Sequence, residues 1–350
     1  MDYRIYIYSP CYKTGGTKSL HQLGYHLNRR GIDVGIIYLD GKKYPKVKKT
    51  LYFDELNICN NADVADDPDN IIIVPETLTF KLRSFKKAIK VIWWLSVDNY
   101  KKSLIWNASK ERLAYRGLPS FLIPLEMIYK VLFHNEEFYY SMVSRKALKN
   151  VYHLYNCEYA RRYLEKKRIK KSSMSYLCGY IDEVFLHQIY GENKEMILTY
   201  NPIKTADKEF EDRFFMRLSG ELRDLIIIPI HNMTREQVFE TLKRSRLYVD
   251  FGTFPGPERI PREAVSLYNN ILTSRKGSAE NSIDVPIDER FKIDFNYSDL
   301  DKAVDMAKDM LVSYEKYVPY FDEYRKKVAD QYGMFEKMMD TFLKDVIKNR

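Results

Sequence analysis

Cysteine is scarce in this sequence: Cys11, Cys59, Cys157 and Cys178 are the four in 350 residues. They stand far apart and form no CxxC pair, which argues against a metal cluster and against a disulfide-stapled secreted scaffold. The six histidines include no HxxxH or HExxH spacing, so no metal site is expected. Long apolar runs are also missing. The most apolar stretch, Phe121 to Phe133, is interrupted by Pro124, Glu126 and Lys130 and is shorter than the roughly 20 apolar residues that a spanning helix needs. No basic leader with a cleavage site precedes the strand-like opening, so the expectation is a cytoplasmic protein.

What is present is enough apolar material for two domains, 45% of 350 residues. Basic residues exceed acidic ones, 57 to 48, giving a formal charge of +9. That balance favours an anionic partner: nucleic acid, a nucleotide or an acidic membrane surface. Charge alone does not choose among them.

Periodicity gives the organisation. Ile5 and Ile7 lead to Pro10, a loop holds Gly15 and Gly16, Leu20, Leu23 and Leu27 recur at helical spacing, and Val34 to Tyr38 is again strand-like. This is a βαβ unit. Ile71 to Val74, Val91 to Leu95, Val151 to Tyr155 and Met174 to Leu177 extend a parallel sheet covered on both faces. Residues 100–147, rich in aromatic and basic side chains, interrupt the rhythm as an insertion. A hinge is expected at Gly179 and the polar Tyr190–Lys194. Met196 to Tyr200, Leu225 to Ile228, Leu247 to Val249 and Ile271 to Thr273 then alternate with helical stretches as a second Rossmann-like sheet. The division is 1–190 and 191–318, followed by a helix over 319–350 that returns to the first domain.

Two loops carry candidate chemistry. Thr14-Gly15-Gly16-Thr17 lies between a strand and a helix, where backbone N–H groups can meet an anionic or hydroxyl-rich ligand; a tight turn capped by Thr17 explains it equally well. It is not the dinucleotide fingerprint, because a third glycine and an acidic residue at the next strand end are out of register. The second loop runs from Asp250 to Ala264, DFGTFPGPERIPREA. Its glycines offer donors to phosphate, Arg259 or Arg262 can neutralise it, and Glu263 can accept two ribose hydroxyls. The plainer reading is a capped helix with Arg259 paired to Glu258. Glu76 and Asp98 follow strands, where α/β sheets place ligand-contacting groups, or else they cap helices. Asp67-Pro68-Asp69 precedes a strand and reads as a solvated loop. His21 on the first helix either faces the cleft or, on the plainer reading, lies on the helix surface.

Together with TGGTKSLHQL (14–23), VPE (74–76), IWWLSVDNY (92–100), NCEYA (156–160), YNPIK (200–204) and SRKGSAEN (274–281) with DVP (284–286), the DFG..PG..R.PREA loop resembles retaining GT-B glycosyltransferases of bacterial surface polysaccharide synthesis. The resemblance spans nearly the whole chain. It implies an α/β fold of two Rossmann-like domains facing across a cleft, with a nucleotide-diphosphate sugar as donor substrate, no cofactor and no metal. It implies catalytic roles among Glu258, Arg259, Lys204 and Asp98. It places Gly15, Gly16 and Lys204 near the donor diphosphate and Glu263 on the ribose; with the loops and strand ends read above, the candidate donor contacts are Gly15, Gly16, Thr17, Asn201, Lys204, Gly256, Arg259, Arg262, Glu263, Gly277 and Ser278, and the candidate acceptor-side contacts Glu76, Asp98 and Asn99. The wider retaining pattern has two glutamates separated by seven residues, but Pro255 stands where the first would be, which leaves the roles of Glu258 and Arg259 open.

The expected partners are a nucleotide sugar and a glycan or lipid-linked acceptor, with no nucleic acid. The insertion is either a contact to an anionic membrane surface, making the protein peripheral there, or ordinary buried core. The rival functions are a nucleic-acid-binding protein using the basic, aromatic insertion, and a donor-binding protein without turnover. An epimerase or dehydrogenase would show a YxxxK pair or a complete GxGxxG, and neither occurs.

Overall fold

The apolar run after Tyr3 forms β1 (Arg4–Pro10), which leads through the glycine loop into α1 (Gly15–Arg29) and then β2 (Asp33–Leu39). β1 and β2 pair in parallel from Arg4 opposite Asp33 to Pro10 opposite Leu39. Residues 5–10 are all buried, as a strand covered on both faces requires. These features belong to a computed structural model that describes residues 3–41, 43–138, 140–141, 145–190 and 194–348.

The first sheet adds β3 (Asn57–Ile58), β4 (Ile71–Pro75) and β5 (Ile89–Trp94). Five helices follow: α2 (Val97–Ser103), α3 (Ile105–Tyr115), α4 (Ile123–Phe133), α5 (Asn135–Phe138) and α6 (Arg145–Lys149). β6 (Tyr152–Tyr155), α7 (Glu158–Lys166) and β7 (Met174–Tyr176) complete it. The seven strands run in the order β3-β2-β1-β4-β5-β6-β7, so strand order reverses between β1 and β4. At such a switch point the carboxyl ends of neighbouring strands leave room for a ligand.

The helices α2 to α6 are the insertion expected over 100–147. Its reading as buried core is corrected: Tyr100 and Tyr140 are buried, but Trp106, Tyr115, Phe121 and Phe133 lie exposed. Among the described residues no helix is long and apolar enough to cross a membrane.

The second series comprises β8 (Glu195–Tyr200), α8 (Lys208–Glu221), β9 (Ile226–Pro229), α9 (Arg235–Arg244), β10 (Ser245–Asp250), α10 (Arg259–Ser266), β11 (Asn270–Ser274), β12 (Lys292–Ile293), α11 (Tyr297–Val312) and α12 (Tyr314–Tyr317). Its sheet is ordered β12-β11-β10-β8-β9 and pairs in parallel throughout. A last helix, α13 (Asp322–Lys348), closes the chain.

One compact unit comprises Met1–Gly179 with Phe335–Arg350, the other Tyr180–Met334. The division falls at Gly179, the first part of the expected hinge, and not at 190, because Ile181, Phe185 and Leu186 already belong to the second core. Gly191, Glu192 and Asn193 of that hinge lie outside the described residues. The end of α13 belongs to the first unit. There Phe335, Met339 and Phe342 are buried, each worth roughly 2 kcal/mol. Glu336 pairs with His26 and Arg30, and the Tyr152 hydroxyl donates to Asp345 at 3.3 Å.

Candidate functional site

In the second unit β10 lies between β8 and β11, and the loops leaving the carboxyl ends of β8 and β10 run side by side. Thr205 bridges Gly252, and the Ala206 N–H donates to the Phe251 carbonyl at 2.7 Å. Asn201, buried, accepts from the Ile203 N–H at 3.2 Å. That turn delivers Lys204 to an ion pair with Glu258. Glu258 is the N-cap of α10, yet its side chain makes no capping bond. Its carboxylate is given to Lys204 instead.

The glycine-proline loop is braced from below. Asp250 is buried and accepts from the Tyr248 hydroxyl at 2.7 Å and from the Gly252 N–H at 2.9 Å. Burial, with help from the nearby Glu258, pushes its pKa up to about 7. Gly277 has φ +55°, and a Cβ there would stand 2.1 Å from the Phe254 carbonyl oxygen, so the close approach requires glycine. Ser278 is fully buried and donates its hydroxyl to the Gly256 carbonyl at 2.7 Å and its N–H to the Phe254 carbonyl at 2.8 Å. Gly277 and Ser278 therefore hold the loop in place.

Arg262 also turns inward, donating to the carbonyls of Pro257 (3.0 Å) and Glu258 (3.2 Å) and to Gln331 (2.9 Å). The pairing of Arg259 with Glu258 read from sequence is corrected: Arg259 sits 3.3 Å from Glu263, one helical turn on, while Glu258 takes Lys204. Glu263 has no solvent exposure and is also gripped by Arg235, the first residue of α9, at 2.8 and 3.2 Å. Arg235 reaches Asp182 as well, at 2.6 Å. Arg235, Asp182 and the Tyr248–Asp250 pair went unremarked in the sequence. Lys204 and Arg259 are the more open cations, at 44% and 35% side-chain exposure.

The first unit assembles its own cluster at the carboxyl edge of β1, β4 and β5, with Leu95 at its centre. The Leu95 N–H donates to Glu76 at 2.9 Å, its carbonyl accepts from Asn156 at 3.0 Å, and its side chain lies 3.5 Å from where a Gly16 Cβ would be. Four motifs read separately, TGGT, VPE, WWLS and NCEYA, thus meet around one residue. Glu76 is buried, which raises its pKa to about 7.

Among the described residues, and apart from its chain neighbours and the backbone of its own helix, nothing stands within 4 Å of a Cβ placed on Gly15. The N-cap of α1 is Thr14, not Thr17. The buried Thr17 completes a reciprocal box, accepting from the Thr14 N–H at 2.8 Å. His21, on its plainer reading a surface residue, is fully buried between the Thr17 carbonyl and the Tyr38 hydroxyl, with its pKa lowered by burial to about 4. Asp98 does not cap α2, a task taken by Ser96, which accepts from the Asn99 N–H at 3.2 Å. Asp98 instead accepts from Lys101 (2.9 Å) and the Tyr159 hydroxyl (2.8 Å), and Asn99 is exposed. Asp67 accepts from the Asp69 N–H in an exposed turn.

No family model matches the chain, and no curated protein matches it. Solved structures do. Sucrose-phosphate synthase from Thermosynechococcus elongatus superposes with a TM-score of 0.62 at 10% identity, over 99% of this chain and 100% of that one. The chain has the GT-B fold. Two further GT-B likenesses are WaaG, a glycosyltransferase involved in lipopolysaccharide biosynthesis (TM-score 0.52, 12% identity, 97% of this chain and 99% of that one), and a TarM mutant from S. aureus in complex with alpha-GlcNAc-glycerol and UDP (0.52, 12%, 82% and 56%). The chain thus spans about half the length of TarM.

Proposed function

We propose that this protein is a glycosyltransferase that moves a sugar from a nucleotide-diphosphate donor to a glycan or lipid-linked acceptor in the cytoplasm, in bacterial surface polysaccharide synthesis. The observation that carries this reading is the row of charges beside the braced glycine loop of the second domain. There Lys204, Arg259 and Arg235 stand against Glu258, Glu263 and Asp182.

Cations and carboxylates balance in that row, and its two most open members are cations. A diphosphate competes with Glu258 for Lys204 and meets Arg259 at the N-terminus of α10, where the helix dipole adds to the attraction. In transfer, negative charge grows on the departing diphosphate, so cations fixed there lower the barrier. Metal is then not needed for that task. Glu263 is the carboxylate for the ribose hydroxyls, with Arg235 holding it in place, and Gly256 and Asn201 shape the backbone around the donor. Gly277, Ser278 and Arg262 act on the donor through the loop that they brace. In the first domain Gly15, Gly16 and Thr17 form the turn through which backbone approaches ligand, and Glu76, Asp98 and Asn99 serve the acceptor. A retaining outcome follows the family resemblance.

A thermal-shift screen of UDP, GDP, CDP and dTDP and their sugars tests the reading, because a ligand that binds the native state raises its stability. One nucleotide family is expected to raise Tm in a concentration-dependent way. Failure of all four to do so, with no sugar transfer from any donor, contradicts the proposal.

A further inference from the structure

The faces of α4 are reversed. Phe121, just before it, and Leu125, Ile128 and Leu132 recur at helical spacing along one stripe and are 76%, 63%, 56% and 69% exposed. The opposite stripe buries Lys130, at 6% exposure, beside Ile123. It also holds Glu126, which pairs with Arg112 of α3 at 2.9 Å. The Lys130 ammonium lies 5.1 Å over the Phe138 ring. A helix laid on a protein core normally buries its apolar stripe and wets its charges. Here the charges are satisfied inside the α3–α4–α5 layer while the large apolar side chains face outward.

The surroundings say what such a face suits. Lys102 at the end of α2, Lys110 on α3 and Arg116 just after it are exposed, against the exposed Glu111. Trp106 and Tyr115 are exposed too, rings that favour the boundary between water and hydrocarbon. An exposed apolar stripe on a helix too short to span, in an insertion that also exposes cations and amphipathic aromatics, is the composition of an element that lies in the plane of a membrane interface.

We propose that the α3–α4 hairpin is a membrane-docking surface, which sets Phe121, Leu125, Ile128 and Leu132 into the interface of a bilayer carrying anionic lipid while Lys102, Lys110 and Arg116 meet its headgroups. Charge separates this occupant from a second copy of the chain. A second copy brings the same excess of exposed cations to the contact, which disfavours it, whereas an anionic surface attracts every one of these basic side chains. The docking does not depend on the transfer reaction proposed above.

The test floats the full chain with vesicles of phosphatidylcholine and phosphatidylglycerol, and with phosphatidylcholine alone, at low and high salt. The parent is expected to float with the anionic vesicles at low salt and to be weakened by salt. Combined Leu125→Ser, Ile128→Ser and Leu132→Ser lowers partitioning by about tenfold or more. Combined Lys102→Glu, Lys110→Glu and Arg116→Glu lowers it by roughly a hundredfold. All six side chains are exposed, so thermal unfolding of both variants is expected to match the parent, which separates lost docking from lost folding. Trp93 and Trp94 are fully buried while Trp106 is open, so quenching by brominated lipid reports on the hairpin in the unmodified protein. A parent that stays unbound, or variants that float as the parent does, overturns the proposal. So does a dimer in sedimentation that the serine variant abolishes while vesicle binding is absent.

Discussion

Arg235 closes over Glu263 with both terminal nitrogens, at 2.8 and 3.2 Å, and thereby ties the first turn of α9 to a carboxylate on α10 that solvent does not reach. Arg259 approaches the same carboxylate at 3.3 Å. Two guanidinium groups share one buried anion. The carboxylate is consequently both a structural anchor and a positioned acceptor.

Glu263→Ala leaves Arg235 and Arg259 without their common partner and is expected to cost about 2 kcal/mol or more, less than a fully buried pair because each arginine is about a third exposed. Glu263→Gln keeps the shape and one acceptor oxygen. It is expected to fold nearly as the parent does and to bind nucleotide about tenfold or more weakly. Urea unfolding of both variants beside nucleotide titration of the glutamine variant checks this; equal stability of the alanine variant and the parent counts against the anchoring role.

Gly277→Ala and Gly15→Ala should separate fold from function. The first places a methyl 2.1 Å from the Phe254 carbonyl oxygen at a left-handed φ, and a loss of roughly 2 kcal/mol or more is expected. The second, at the start of α1, meets no described residue beyond its chain neighbours and its own helix backbone within 4 Å, so stability stays within about 0.5 kcal/mol of the parent while transfer falls. Equal transfer by Gly15→Ala and the parent would remove the turn from the site.

Stability should carry a pH signature from Glu76. Burial raises its pKa from 4.5 to about 7, so between those values the folded state holds a proton that the unfolded state has released. Its contribution is full below the lower value, falls as pH rises through the window, and is flat above it, a span of roughly 3 kcal/mol. Glu76→Gln cannot titrate. Its stability relative to the parent should therefore rise between about pH 5 and about pH 8, and a difference that does not change with pH in unfolding titrations would contradict the assignment.

Much of the fold is legible in the sequence because strand and helix periods differ. The β-branched runs at Ile71 and Val91 and the leucine spacing of α1 reappear as elements with nearly the expected bounds. The two-residue strands β3 and β12 carry too little pattern to be seen. The site is legible only where chemistry is contiguous. DFGTFPGPERIPREA can be read as one loop, but Arg235 lies 28 residues from Glu263 and looks like any exposed cation at a helix start. The insertion shows the opposite difficulty: spacing marks α4 as helical, yet no period says which stripe faces inward, and here the charged one does. Thr14 and Thr17 illustrate the same limit locally, since both have capping side chains and only backbone dihedrals decide which residue is the cap.

In the proposed reaction the loop beside Lys204 and Arg259 holds the diphosphate of the nucleotide donor. Calorimetric titration, with EDTA present, of the nucleotide that gives the largest thermal shift tests it most directly, using the parent, Lys204→Ala and Arg259→Ala. Both side chains are substantially open, so the two variants should fold as the parent does. The parent is expected to bind one equivalent without metal, and each variant about tenfold or more weakly. Binding by both variants at the parent's affinity, or binding by the parent only when Mg²⁺ is restored, would contradict it.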